Sequence, residues 1–215
     1  LRDNREILTM KDLDFVSNRM IGGWQPNANV YSDDMIKRIA VHELGHALTG
    51  YFMKEHSRLS RINLNANSPK SPGYTVFEID EMDANIYTKE KLFSHLVVLL
   101  SGRIAEEVFF GTSVTTGASK DLEEAYTLSE QMIIRYGMGK ETIFPTSSDK
   151  SKELIDDEIS ILTKAATEKS TYILNSCKEL IEELYPILID DGILTRDQIE
   201  MKIYRRYPHL LNIDQ

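Results

Sequence analysis

The sequence predicts a mainly α-helical domain with a small β-sheet or hairpin beside one helix that carries a metal-binding motif. Apolar residues recur at helical spacing through most of the 215 residues, which is typical of amphipathic and buried helices. Two β-rich runs, at residues 59–64 and 73–79, are separated by a loop with two prolines and indicate a hairpin. An H-E-x-x-H motif begins at His42, inside one of the helical stretches.

The H-E-x-x-H motif favours a zinc site. On a helix, His42 and His46 leave the same face one turn apart, so both imidazoles can bind one Zn²⁺. Glu43 can instead act as a general base on the zinc-bound water. The plain alternative is that these residues form a partly exposed helix face. Gly45 costs about 1 kcal/mol relative to Ala in a helix, which predicts that backbone, metal or substrate comes close there.

Composition and charge exclude several classes of function. The chain has 25 Lys and Arg against 34 Asp and Glu, a net charge of −9, and no basic tract, which argues against nucleic acid as a partner. Cys177 is the single cysteine, so an internal disulfide and a cysteine zinc site are excluded. The dense apolar run at residues 92–104 is too short and too polar to span a bilayer. We therefore expect a soluble domain.

Before the motif helix, the sequence predicts a tail and a linker. Residues 1–22 have a short helical pattern closed by two glycines, and residues 23–33 are rich in turn residues. Ser32, followed by two aspartates, predicts the N-cap of a helix over residues 34–56 that carries the motif.

After the hairpin, two further helices are predicted. Residues 88–110 have the pattern of a buried helix, and residues 112–117 that of a loop. Ser119 is predicted to cap a helix that reaches residue 136. Four apolar side chains of that helix are expected to face inward: Leu122, Ala125, Leu128 and Met132.

The C-terminal part, residues 150–215, is predicted to be helical. Thr195 and Gln198 form a capping box, and an apolar stripe at helical spacing indicates packing and oligomer contacts. The predicted helices cover residues 149–175, 177–189 and 195–204. We assign residues 34–215 to one domain, with residues 34–139 as its core.

The second run of the hairpin has two interpretations. If it forms an exposed edge strand, it can hold an extended peptide by strand addition, with Gly73, Tyr74, Thr75 and Val76 as the binding residues. Otherwise, the hairpin only covers the core.

A catalytic zinc needs a third protein ligand, and spacing alone does not choose it. Glu106 and Glu107 could instead be carboxylates that support a ligand without binding the metal. Asp121 could instead be an acid that stabilises the first turn of a helix through the helix dipole. The candidates are His56, His95, His209, Glu106, Glu107, Asp121, Glu123 and Glu124.

Three motifs in order carry a family resemblance. They are HELGHAL at residues 42–48, SGRIAEE at 101–107 and TTGASKDL at 115–122, and the similarity continues through residues 132–137. In these motifs the chain resembles the peptidase domain of the FtsH family of ATP-dependent zinc metalloproteases. The resemblance covers residues 34–139 well; Leu44 departs from it, where the family usually has Ala.

The resemblance implies more than the motifs do alone. It implies that Asp121 is the third zinc ligand and that the domain is mostly helical and assembles into homo- or hetero-hexameric rings. Residues 1–22 resemble the end of that family's ATPase module, so we expect a piece of a longer, membrane-anchored protein with this module in cis. The chain lacks a P-loop, and ATP is expected to act only through that module.

The sequence thus predicts a zinc-dependent endopeptidase that degrades unfolded proteins. His42, His46 and Asp121 are expected to hold zinc, and Glu43 is expected to be the catalytic base. The alternatives are a catalytically silent, ring-forming zinc module that acts in assembly or binding, and a zinc hydrolase that acts on something other than peptides.

Overall fold

The computed structural model describes residues 9, 12, 16, 20, 30–69, 71–78, 86–143 and 148–213. Most of the predicted tail and linker, residues 1–33, therefore lies outside the described residues. The described helices are α1 Asp33–Phe52, α2 Lys89–Phe110, α3 Ser119–Glu130, α4 Asp149–Ser176, α5 Lys178–Asp191 and α6 Arg196–Arg206. The strands are β1 Leu59–Leu64, β2 Gly73–Phe77 and β3 Ile193–Thr195, and the remaining elements are a π-helical turn Gln131–Arg135 and a 3₁₀ helix Pro208–Asn212. This mainly α architecture with a small sheet confirms the predicted fold class.

Helix α1 is the central element of the domain. Its N-cap is Ser32, whose side chain accepts the Met35 N–H, as predicted. The helix ends at Phe52, because Met53 is extended (φ −80°, ψ 108°) and the chain turns toward β1, so the predicted end at residue 56 was wrong. Helix α1 contacts α2, α5 and the sheet, and this is why so many of its residues are buried.

Gly45 allows α1 and α2 to approach closely. A β-carbon built on Gly45 would lie 2.6 Å from the Ala105 β-carbon and 2.8 Å from the Ser101 carbonyl oxygen. Any larger residue would push the two helices apart. The predicted close approach at Gly45 is therefore confirmed, and the groups that come close are the Ala105 side chain and the Ser101 backbone of α2.

The sheet is antiparallel, with strand order β2-β1-β3. Its edge strand β2 ends at Phe77, so residue 78 of the predicted run is not part of the strand. Residue 79, the last of that run, lies outside the described residues. Strand β3 was not predicted, because three residues are too few for a period-two pattern and its pairing with β1 is a tertiary contact. It leads directly into α6, whose predicted Thr195–Gln198 capping box is confirmed.

Helix α3 corrects two predictions. Ala118 occupies the N-cap position with no side-chain hydrogen bond, and Ser119 is the first helical residue rather than the cap. Leu122 is 43% exposed whereas Ala125 is 2% exposed. The prediction that Leu122 faces inward was therefore wrong, and the prediction for Ala125 is confirmed. The buried side follows a four-residue spacing through Ala125 and Ser129 and places Asp121 on the same side.

The C-terminal helices pack onto the same core. Helix α4 contacts α2, and α5 contacts α1; Cys177, at the junction between α4 and α5, is fully buried. In the part of the chain that the structure describes, none of the helices combines the length and apolar character that crossing a bilayer requires.

Candidate metal centre

Three side chains from two helices converge at one point. His42 and His46 lie on successive turns of α1, and their Nε2 atoms are 3.0 Å apart. Asp121, in the first turn of α3, places Oδ2 3.2 Å from His42 Nε2 and 3.5 Å from His46 Nε2. The ligand atoms of all three lie within 4.8 Å of one another. The structure thus brings together the two histidines of the motif and the carboxylate that the resemblance implied.

The outer nitrogens of both histidines are held by α2. His42 Nδ1 lies 2.9 Å from Glu106 Oε1, and His46 Nδ1 lies 2.8 Å from the Val98 carbonyl oxygen. An ionised carboxylate and a carbonyl only accept hydrogen bonds, so both Nδ1 atoms donate. In the neutral imidazoles, both Nε2 atoms therefore carry lone pairs directed at the point of convergence.

Two imidazole lone pairs and a carboxylate oxygen repel one another unless a positive charge lies between them. Burial alone would lower the pKa of His42, but hydrogen bonds to Asp121 and Glu106 outweigh it and raise the pKa to about 9. Burial opposes ionisation of Asp121, yet its contacts with His42 and His46 hold its pKa below the usual range. The site therefore favours a cation, and two nitrogens with one oxygen are a donor set that suits Zn²⁺.

Gly102 in α2 leaves space for the point of convergence. A β-carbon built on this residue would lie 2.4 Å from His42 Nε2 and 2.5 Å from His46 Nε2. Any side chain would enter the space between the histidines. The sequence interpretation did not single out Gly102, although a glycine inside a strongly apolar helix was an available signal.

Glu43 lies beside the cluster and contacts the edge strand. Its carboxylate is buried, and burial raises its pKa. Thr75 Oγ1 of β2 donates to Glu43 Oε2 at 2.9 Å, and a β-carbon built on Gly73 would lie 2.7 Å from Glu43 Cγ. Two of the four predicted strand residues, Gly73 and Thr75, thus approach Glu43. All four, including the intervening Tyr74 and Val76, pair with β1.

Glu106 connects α2 to the loop before α3. Its Oε2 accepts the Thr115 N–H at 2.7 Å, and its Oε1 accepts the Thr115 hydroxyl at 3.0 Å. The same carboxylate contacts His42. Glu106 therefore supports a candidate ligand and is not itself one of the three converging residues.

The other candidate ligands lie elsewhere. Glu107 forms an ion pair with Arg103 at 3.1 Å and is exposed. His56 and His95 contact each other at 3.3 Å. The remaining candidates, Glu123, Glu124 and His209, are exposed. Among the described residues, the group of His42, His46 and Asp121 is the one with metal-ligand geometry.

Comparison with known proteins agrees with this geometry. The sequence model of peptidase family M41 matches residues 29–201. The ATP-dependent zinc metalloprotease FtsH of Clostridium perfringens is 28% identical over 231 residues, covering 100% of this chain and 32% of the relative. A mouse relative, the mitochondrial inner membrane m-AAA protease component AFG3L1, is 28% identical and covers 85% of the chain and 25% of its own length.

A third relative, the ATP-dependent zinc metalloprotease FtsH 1 of Conexibacter woesei, is 30% identical over 220 residues, with 93% of the chain and 33% of the relative covered. The chain thus spans a third or less of the length of these curated relatives. The family model covers most of the chain, and it includes the converging residues and Glu43. The resemblance to the FtsH family is confirmed, and the chain belongs to peptidase family M41.

Proposed function

We propose that this chain is the zinc-dependent endopeptidase part of a larger ATP-dependent protease and that it cleaves unfolded polypeptides. The observation that carries the proposal is the convergence of two imidazole Nε2 atoms and the Asp121 carboxylate beside the buried Glu43. Membership of peptidase family M41 and the printed names of the relatives support the same reaction class.

Each side chain has a role in this proposal. His42, His46 and Asp121 would hold the zinc. The contacts of the two histidine Nδ1 atoms with α2 would fix the imidazoles in the required tautomer. When bound, zinc supplies Lewis-acid chemistry: it lowers the pKa of water and polarises a carbonyl. Glu43 takes a proton from the attacking water and returns it to the leaving amine. Its raised pKa makes it a stronger base than an exposed glutamate.

Strand β2 is proposed to hold the substrate. Among the described strands it lies at the edge of the sheet, with β1 as its neighbour, so an extended peptide can add to its outer side. Residues Gly73, Tyr74, Thr75 and Val76 form this strand with Phe77. Because Thr75 donates to Glu43, a peptide on this edge would lie next to the catalytic base.

The assembly is proposed from the relatives rather than from contacts. Their names describe ATP-dependent proteases, one of them in the mitochondrial inner membrane. We infer an ATPase module in cis, a homo- or hetero-hexameric ring and a membrane anchor in the full-length protein. A silent zinc module for assembly is the alternative; the support that Thr75 gives to Glu43 argues against it, because a structural zinc needs no base.

A degradation assay separates these alternatives. The zinc-loaded 215-residue chain is incubated with unfolded casein and with a tightly folded protein, with and without a chelator and with and without ATP. We expect cleavage of casein only, its loss with chelator, its return on adding zinc, and no effect of ATP. A folded chain with one zinc that leaves casein intact would favour the silent module. ATP-stimulated degradation of the folded protein would contradict the proposed division between peptidase and motor.

A further inference from the structure

We propose that Arg38 is a positioning residue for the metal centre: it holds the loop that brings Asp121 to the two histidines. The inference deepens the proposed zinc peptidase function and rests on it. Arg38 lies on α1 one turn before His42, so both side chains leave the same side of the helix. The Arg38 side chain is only 15% exposed, although arginine usually keeps its charged end in water.

The guanidinium of Arg38 contacts both the end of α2 and the loop that follows it. Its Cζ lies 4.3 Å from the ring centroid of Phe110, the last residue of α2. Nη1 donates to the Ser113 carbonyl oxygen, and Nη2 donates to the Ser113 hydroxyl at 3.4 Å. Asp34, one turn earlier on α1, accepts from Nε at 2.8 Å. The planar group is therefore fixed by an aromatic ring on its face and by hydrogen bonds along its edge.

The loop at residues 111–118 has little apolar burial to hold it. Residues 111–117 are exposed or half-buried, and Ala118, next to α3, is buried. Arg38 holds the first part of the loop through Ser113, and Glu106 holds the second part through Thr115. Because the loop gains little from packing, these polar contacts fix the path of the chain from α2 to α3.

This path decides where Asp121 lies. Asp121 is in the first turn of α3, and its Oδ2 is 3.2 Å from His42 Nε2. Arg38 extends from the helix that carries both histidines, so it connects two ligands to the approach of the third. A loop released from Arg38 would sample more conformations, and zinc binding would have to restrict them. Loss of Arg38 should therefore weaken zinc binding, although Arg38 is not a ligand.

The charge of Arg38 acts in the opposite direction, which separates positioning from electrostatics. A cation near the centre repels Zn²⁺, so loss of the charge alone would raise the zinc affinity. If Arg38 acts by positioning, Arg38→Gln should instead lower the affinity, by about 10-fold. Arg38→Lys keeps the charge but lacks the planar group that stacks and donates twice, so it should also lower the affinity, to a smaller extent.

Competition with a chromophoric chelator measures these affinities on the full 215-residue chain. A double-mutant cycle identifies the ligand through which Arg38 acts. In a chain that already carries Asp121→Asn, Arg38→Gln should change the zinc affinity by less than about 2-fold. The matched control is Arg58→Gln, which alters an exposed arginine in a long ion pair with Glu78, at 3.8 Å, and should bind zinc like the unaltered chain.

The outcomes distinguish this inference from the proposed function. An Arg38→Gln chain that binds zinc as tightly as the unaltered chain, or more tightly, would overturn the inference, as would equal effects of Arg38→Gln with and without Asp121→Asn. Circular dichroism checks folding. If Arg38→Gln unfolds, Arg38→Lys takes its place, and an unchanged affinity in that variant overturns the inference. An unaltered chain that binds no zinc, or binds it equally well after Asp121→Asn, would overturn both the inference and the proposed zinc site.

Discussion

His42 and Glu106 join α1 to α2 at the centre of the site: His42 Nδ1 donates to Glu106 Oε1 at 2.9 Å. The same carboxylate accepts the Thr115 N–H at 2.7 Å, in the loop that precedes α3. Because α3 carries Asp121, one buried carboxylate fixes both a histidine of α1 and the approach of the third converging residue.

Replacing this carboxylate should weaken the centre without removing a ligand. Glu106→Gln loses the charge that orients His42, and removing such support typically costs about 10–100-fold in metal affinity or activity. Zinc affinity, measured by competition with a chromophoric chelator, should fall in this range. The matched control is Glu107→Gln, because Glu107 is exposed and forms its ion pair with Arg103, one turn away on the same helix. Equal affinities of the two variants would contradict the role of Glu106.

Asp121→Asn should reduce zinc affinity by about 10-fold or more and abolish hydrolysis, because a neutral amide is a poorer ligand than a carboxylate. The helical content should be kept, since the side chain packs little of the core. Glu123→Gln, an exposed acid two positions along the same helix, is the control for lost charge. Zinc binding by Asp121→Asn as tight as in the unaltered chain would show that the third ligand is another residue.

Gly102→Ala tests the space between the histidines. The added β-carbon would lie 2.4 Å and 2.5 Å from the two Nε2 atoms, so an imidazole or the helix must move, and overpacking of this kind typically costs about 1–3 kcal/mol. Zinc binding should be lost or strongly reduced, as measured by metal analysis after dialysis.

Gly139→Ala is the control for Gly102→Ala. The nearest atom to a β-carbon there is a Glu158 carboxylate oxygen at 3.1 Å, at the end of a flexible side chain. Its effect on the free energy of unfolding should stay within about 0.5 kcal/mol. Normal zinc content in Gly102→Ala would show that the convergence point is not the metal position.

His56 should make stability depend on pH. Its pKa is lowered from 6.5 to about 4 in the folded chain, so the unfolded chain takes up this proton first as the pH falls. The contribution of His56 to the free energy of unfolding should be constant above pH 6.5 and should decrease between pH 6.5 and 4, by up to about 1.4 kcal/mol per pH unit. Urea unfolding in the presence of a chelator measures this slope.

The His56→Gln variant should have a shallower slope over the same pH range. His209→Gln, altered at an exposed histidine, should retain the slope of the unaltered chain. Identical slopes for His56→Gln and the unaltered chain would show that His56 is not held neutral by the fold.

Local patterns predicted most of the elements that build the site. The bounds of β1, the Ser32 cap and the Thr195 capping box follow from neighbouring residues, and the structure has all three. The spacing of His42 and His46 follows from helix geometry alone. These features depend on contacts within one element, which a single sequence contains.

Tertiary contacts decided the remainder. Strand β3 exists because it pairs with β1, and Leu122 is exposed because Asp121, not Leu122, turns toward α1. From the residues alone, Glu106 and Asp121 were both candidate ligands, and only the family resemblance favoured Asp121. Sequence spacing does not determine the path of the loop between α2 and α3, and that path decides which carboxylate reaches the histidines. The role of Gly102 likewise depends on a tertiary contact, because both histidines of α1 face it.

The most direct test of the proposed mechanism is Glu43→Gln, with zinc content and casein hydrolysis measured on the same preparation. Glu43 contacts Thr75 rather than joining the converging ligands, so the variant should keep one zinc per chain at the centre. Loss of the general base should lower the hydrolysis rate by about 10²–10⁴-fold. A variant that retains both its zinc and the full rate of hydrolysis would contradict the assignment of Glu43 as the catalytic base.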